Sequence, residues 1–170
     1  MNKMKLDRVK KEIWKEIARD LAKERNVGSC RCYGEEFYRY LLREADLPFP
    51  LENIDSERPP GQVSDLFDLV IGWQMLEEDR APLRPESIYR MLKGGGEALL
   101  YGFYSNPMPD DVVEWERRWG GDDGGLIIRL PLPGAVSLSR VSGWLRPAPF
   151  DRYTIRKKGI YYQVWMRKGE

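Results

Sequence analysis

Apolar residues near the start of the chain fall on one helical stripe. Leu6, Val9, Ile13, Ile17 and Leu21 recur at steps of three and four, and Trp14, Ala18 and Ala22 widen the stripe. The opposite face is rich in lysine and glutamate, with Asp7 and Lys11 at a favourable i,i+4 spacing. This predicts an amphipathic helix over 5–25, within an N-terminal segment 1–26. Its stripe packs on its own domain or on a partner. Asn26 to Gly34 carries Gly28, Cys30, Cys32 and Gly34 and reads as a turn-rich break. A second helix is expected over Glu35–Ala45, stopped by Pro48 and Pro50. Leu51 to Gln62 contains Pro59, Pro60 and Gly61 and reads as an exposed loop with a short strand at Leu51–Ile54.

The pattern is clearest from Phe67 to Phe103. Phe67–Trp73 is a short apolar run of strand formers. A helix opened by Pro85 and Glu86 follows, with Ile88, Met91 and Leu92 at helical spacing. Gly94–Gly96 are expected to stop it, and a second apolar run, Ala98–Phe103, comes next. Strand, helix, strand makes a βαβ unit, and uninterrupted apolar strands imply parallel pairing buried on both faces. Beyond it, Asp110 or Asp111 caps a short predicted helix through Trp119. Gly120–Gly125 is a loop, and Leu126–Leu130 a further candidate strand. Ser137 or Ser139 caps a helix through Leu145. Tyr153–Arg156 and Ile160–Arg167, joined through Lys157–Gly159, alternate as a β-hairpin.

Length and composition fit one soluble domain over 1–170: 170 residues, 42% hydrophobic and 32% charged. The net charge of +1 hides an uneven distribution. Residues 1–26 hold nine Lys/Arg against five Asp/Glu, and 140–170 hold eight against two. No recognisable nucleic-acid module accompanies these basic ends, so nucleic acid is not an expected partner. No run approaches the roughly 18 apolar residues of a membrane span, and the lysine-rich start lacks a signal peptide's apolar core. A cytoplasmic protein without a membrane partner is expected. Cys30 and Cys32, one residue apart, are poorly placed to bridge each other. Two thiols without any histidine make no metal site within one chain. The absence of histidine also removes the commonest general base, and no catalytic residue stands out. Candidate chemistry is limited to Glu77, Glu78 and Asp79 beyond the first strand of the βαβ unit, either a base or a solvated turn. Tyr101, Tyr104, Trp115 and Trp119 are either an aromatic pocket or core residues.

Residues 67–170 resemble the C-terminal half of a class I S-adenosylmethionine-dependent methyltransferase. FDLVIGWQML is similar to that family's fourth strand and exit loop, and SIYRMLKGGGEALLYGF to its "LKPGG" helix end and fifth strand. VSGWLRPAPFDRYTIRKKGIYYQVWMRK is similar to its last helix and closing hairpin. The resemblance implies a reduced Rossmann-like α/β fold. Its sheet would be mostly parallel with a C-terminal antiparallel hairpin, and helix 5–25 would be an addition. It implies S-adenosylmethionine as cofactor and a small-molecule methyl acceptor. By position it assigns Gly72, Trp73 and Gln74 to the cofactor's methionine end, and Asp46 or Glu44, beside ADLPFP, to the adenine side. The family's glycine loop, D/E-x-G-x-G-x-G, falls on VGSCRCYGEE at 27–36. Gly28 and Gly34 are its candidate cofactor-binding positions, with Cys30 and Cys32 replacing the other two glycines. Asp55 stands where the ribose-binding acid is expected, and only 12 residues then remain before Asp68, too few for the family's intervening units. The N-terminal half is therefore expected to be shortened. The alternative is a non-catalytic half domain, whose open sheet edge and bare face would pair with itself as a homodimer or with a completing subunit.

Overall fold

The elements in chain order are α1 (Lys3–Leu21), β1 (Cys30–Tyr33), α2 (Glu35–Glu44), β2 (Leu51–Asn53), β3 (Phe67–Trp73), α3 (Pro85–Met91), β4 (Leu92–Phe103), α4 (Leu138–Leu145), β5 (Arg152–Lys158) and β6 (Tyr161–Arg167). The strands form one sheet in the order β2-β1-β3-β4-β6-β5. β2, β1, β3 and β4 are parallel, and β6 runs antiparallel to both β4 and β5. The computed structural model describes residues 3–53, 66–76, 84–105, 132, 134–147 and 149–170. The expected helix to Trp119, the strand Leu126–Leu130, and residues Asp55, Glu77, Glu78, Asp79, Trp115 and Trp119 lie outside the described residues.

The βαβ unit is present as its residues dictate. Six of the seven residues of β3 are buried, which fits a strand covered on both faces. Pro85 opens α3 without costing a hydrogen bond, since the first-turn amide would be unpaired in any case. The glycines behave differently from expectation. Gly94–Gly96 do not stop α3, which ends earlier at Met91; they belong to β4. They allow the backbone to crowd at the irregularity in β3–β4 pairing between Phe67 and Leu69. A Cβ on Gly96 would lie 2.8 Å from the Lys93 carbonyl oxygen. Gly95, at φ +79, donates its N–H towards the carbonyls of Lys168 and Gly169, tying the strand to the tail of the chain.

The expected break at 26–34 is also corrected. Its second half is strand β1, all four residues buried, paired to β2 on one side and β3 on the other. Polarity hid it. Cys30 and Cys32 point to one face, Arg31 and Tyr33 to the other. Arg31 is fully buried, with its guanidinium 5.4 Å from the centre of the Phe67 ring and 3.9 Å from the Glu52 carboxylate. The cysteine segment is therefore a strand inside the sheet rather than part of a turn.

Both faces of the sheet are covered. α1 and α2 lie on one, through Val9, Ile13, Trp14, Ile17, Leu21, Phe37 and Leu41 against Leu69, Ile71, Leu99 and Tyr101. α3 and α4 lie on the other, through Ile88, Met91, Val141 and Leu145. Each such buried side chain contributes about 1.5–3 kcal/mol. The bare face that argued for a homodimer or completing subunit is thus filled by α1 from the same chain. α1 also reaches the final hairpin, where the Tyr161 hydroxyl donates to Glu16 at 3.0 Å and Lys158 to Asp20 at 3.2 Å. Ser137 caps α4, accepting from the Arg140 N–H at 3.1 Å. Gly159, at φ +73, turns the hairpin.

Candidate functional site

β1 and β3 are neighbours, yet the chain leaves them in opposite directions. From β1 it passes through α2 to β2 on one side, and from β3 through α3 to β4 on the other. α2 packs on one face and α3 on the other. The chain therefore switches winding between β1 and β3, and the crevice outside the carboxyl ends of such a pair is where open α/β sheets bind ligands.

Two unusual backbone conformations end these strands. Gly34, following β1, sits at φ +95 as the residue opening α2, and no side chain caps that helix start. Gln74, following β3, sits at φ +54, one of two non-glycine residues with positive φ among those described. Holding a side chain there costs about 1–3 kcal/mol, and the structure fixes it from both ends. Its N–H donates to the Tyr101 carbonyl at 2.7 Å, and its side-chain oxygen accepts from the Phe103 N–H at 3.4 Å. The two strand ends meet: a Cβ on Gly34 would lie 3.4 Å from the Trp73 carbonyl oxygen. The crevice wall is therefore backbone, as close approach of a ligand requires. In this respect the residues present fit the amino-acid end of S-adenosylmethionine, which Gly34 and Gln74 would hold.

Gly34, Gly72, Trp73 and Gln74 share this end of the sheet. Gly72 is closely packed, since a Cβ there would lie 2.9 Å from Met75 and 3.1 Å from Tyr33. Trp73 is buried in an aromatic group, edge-on to Trp14 at 5.7 Å and to Phe103 at 5.1 Å, with Phe37 beside it. Gly28 and Asp46 lie apart from the crevice. Gly28 precedes β1 at the amino ends of the strands and donates its N–H to Asp68 at 2.9 Å. Asp46 follows α2, which has carried the chain back towards the amino end of β2. Of the four aromatics offered as pocket or core, the two described ones are core residues. Tyr101 lies in the core beneath α1, while Tyr104 lies in the core of the other face and donates to the Gly159 carbonyl.

Cys30 and Cys32 are free, buried, and directed under α1. Burial pushes both thiols well above their ordinary range, so neither is poised as a nucleophile. Burial likewise raises Tyr33, partly offset by Arg31, and its hydroxyl donates to the Met91 sulfur at 3.2 Å. A cavity of about 170 Å³ lies at the opposite, amino end of the sheet, lined by Glu24, Asp68, Gly94–Gly96 and Glu97 among others. Among the described residues no group of three metal-ligating side chains occurs, and no helix is long and apolar enough to cross a membrane. Sequence reasoning missed Trp14 and Phe103 as walls of the Trp73 site. Their signal was only the apolar stripe and the strand, which any core residue gives.

No family profile and no curated protein sequence matches the chain. Solved structures do. A putative S-adenosyl-L-methionine-dependent methyltransferase from Methanococcus maripaludis is 16% identical with a TM-score of 0.58, over 99% of this chain and 89% of that one. A SAM-dependent methyltransferase from Aquifex aeolicus is 10% identical with a TM-score of 0.58, over 91% and 88%. Human N-acetylserotonin methyltransferase is 16% identical with a TM-score of 0.50, and this chain spans 56% of its length. These likenesses show the fold: a Rossmann-like methyltransferase sheet, mostly parallel, ending in an antiparallel pair. They extend over nearly the whole chain and so are not limited to 67–170.

Proposed function

We propose that this chain is a methyltransferase that binds S-adenosylmethionine in the crevice between β1 and β3 and serves a small-molecule acceptor. The observation carrying this is the pair of positive-φ residues, Gly34 and Gln74, that end the two strands at the winding switch. The cofactor, when bound, supplies a sulfonium-linked methyl group to an incoming nucleophile. The chain's own part is to align the two reactants and exclude water. Titration calorimetry with S-adenosylhomocysteine tests the reading. One molecule per chain should bind with a dissociation constant in roughly the micromolar range. Gly34→Val, which places a side chain on the crevice wall, should weaken binding at least tenfold in protein that still melts cooperatively. Absence of heat at millimolar ligand sinks the proposal.

One observation favours a second reading. The positions of the family's glycine loop are occupied by a buried strand, Cys30–Tyr33, so only Gly34 remains to approach a ligand. A chain of this fold that has lost its cofactor would act as a binding module. The same titration separates the two.

A further inference from the structure

The α1-side face of the β5–β6 hairpin has an arrangement that the strand pairing alone reveals. Arg167, Trp165, Gln163 and Tyr161 of β6 alternate onto this face, and their partners across β5 are Arg152, Thr154, Arg156 and Lys158. Rows on one face of a strand are about 7 Å apart. The face thus reads as a pair of arginines, a tryptophan beside a threonine, a glutamine beside an arginine, and a tyrosine beside a lysine. Lys158 is matched by Asp20 and the Tyr161 hydroxyl by Glu16. Among the described residues Arg152, Arg156 and Arg167 enter no ion pair. Glu97 stands across from Arg167 on β4, beyond ion-pair distance, and acts instead on Glu24, whose carboxyl burial and Glu97 together push upward.

Two arginines placed directly opposite one another on a sheet repel, so the pairing costs stability unless an anion lies over both. Arg152, Thr154 and Arg156 are exposed, and Trp165 is half-buried, with the small Thr154 as its neighbour on the edge side. Guanidinium forks match phosphate oxygens, and a half-open indole between them offers a stacking surface. A duplex keeps its bases stacked inside and has nothing to lay on that indole. We propose that this face binds single-stranded nucleic acid, with Arg152, Arg156 and Arg167 on phosphates and Trp165 against an unpaired base. The surface lies on the flank of the sheet and does not depend on cofactor binding in the crevice.

Fluorescence anisotropy with a labelled 15-nucleotide oligouridine tests this on the full chain. Binding should fall at roughly 1–100 µM in 50 mM salt. Three neutralised phosphates give a slope of log affinity against log salt of about −2, or roughly 16-fold weaker binding at 200 mM. The double change Arg152→Gln, Arg156→Gln should flatten the slope to about −0.7 while leaving S-adenosylhomocysteine heats unchanged. Trp165→Leu should weaken binding by about 5- to 150-fold. Because Trp165 also packs inward, Thr154→Asp is the companion test: at an exposed position it sets a carboxylate beside the indole and should abolish binding. Failure to bind at 100 µM overturns the proposal. So does tighter binding of a duplex, equal binding of heparin, or affinity unmoved by all three variants.

Discussion

Asp68 holds the entry to β1, and its removal gives a sharp test of how the first strand is fixed. The carboxylate accepts from the Gly28 N–H at 2.9 Å and the Ser29 N–H at 3.2 Å, with the Ser29 hydroxyl at 3.4 Å and Lys93 at 3.7 Å. In return Asp68 donates its own N–H to Ser29 at 3.1 Å, so β1 and β3 are locked at their amino ends. A hydrogen bond to a charged group contributes about 1.5–3 kcal/mol. Asp68 is 28% exposed, and Gly28 is exposed as well, so solvent discounts the two backbone bonds to about 2–3 kcal/mol together. For a domain of this size each kcal/mol moves the melting temperature by about 2–4 °C, so Asp68→Ala should lower it by about 4–12 °C. Calorimetry at neutral pH measures the shift, and amide exchange should speed selectively at Cys30–Tyr33. Asp68→Asn keeps an acceptor and should recover about half of the loss. A melt within 1 °C of the parent for Asp68→Ala would refute the reasoning. Asparagine as damaging as alanine would instead assign the effect to charge and Lys93.

Two further outcomes are expected. Burial is the largest cause raising the pKa values of Cys30, Cys32, Tyr33, Tyr101 and Tyr161, so the folded chain keeps protons that the unfolded chain releases. Their contribution is fully present below the unfolded values, about 8.5 for thiols and 10 for phenols, and is lost as pH rises above them. Each group then removes up to about 1.4 kcal/mol per pH unit. Denaturant titrations should show falling stability from pH 8.5 to 10.5, and a flat profile would contradict this. Separately, the side-chain oxygen of Gln163 is buried without a hydrogen-bond partner among the described residues. Gln163→Leu should raise stability by about 1 kcal/mol, and a lower denaturation midpoint would count against the assignment.

What the residues alone predicted well was whatever apolar periodicity carries. α1, α2, α3, β3 and the final hairpin all formed within a few residues of their expected limits. β1 escaped because two cysteines, an arginine and flanking glycines look like a turn until partner strands bury them. Phe67 and Glu52, far along the chain, help to explain how Arg31 is tolerated inside. Gly94–Gly96 misled for a related reason, since glycine marks both a helix stop and a crowded strand. The crevice was half legible. Gly34, Gly72, Trp73 and Gln74 were placed at one end of the sheet by their order after strands. Gly28 and Asp46 lie towards the amino ends of the strands, where the chain enters β1 and leaves α2.

The hydrogen bonds from Tyr161 to Glu16 and from Lys158 to Asp20 join segments 145 and 138 residues apart. On the ribosome, α1 emerges before Leu69, Ile71, Leu99 and Tyr101, the sheet residues its stripe covers. That oily stripe must wait, exposed, until β3 and β4 have followed. Contacts spanning such long intervals slow folding and leave the nascent chain open to aggregation.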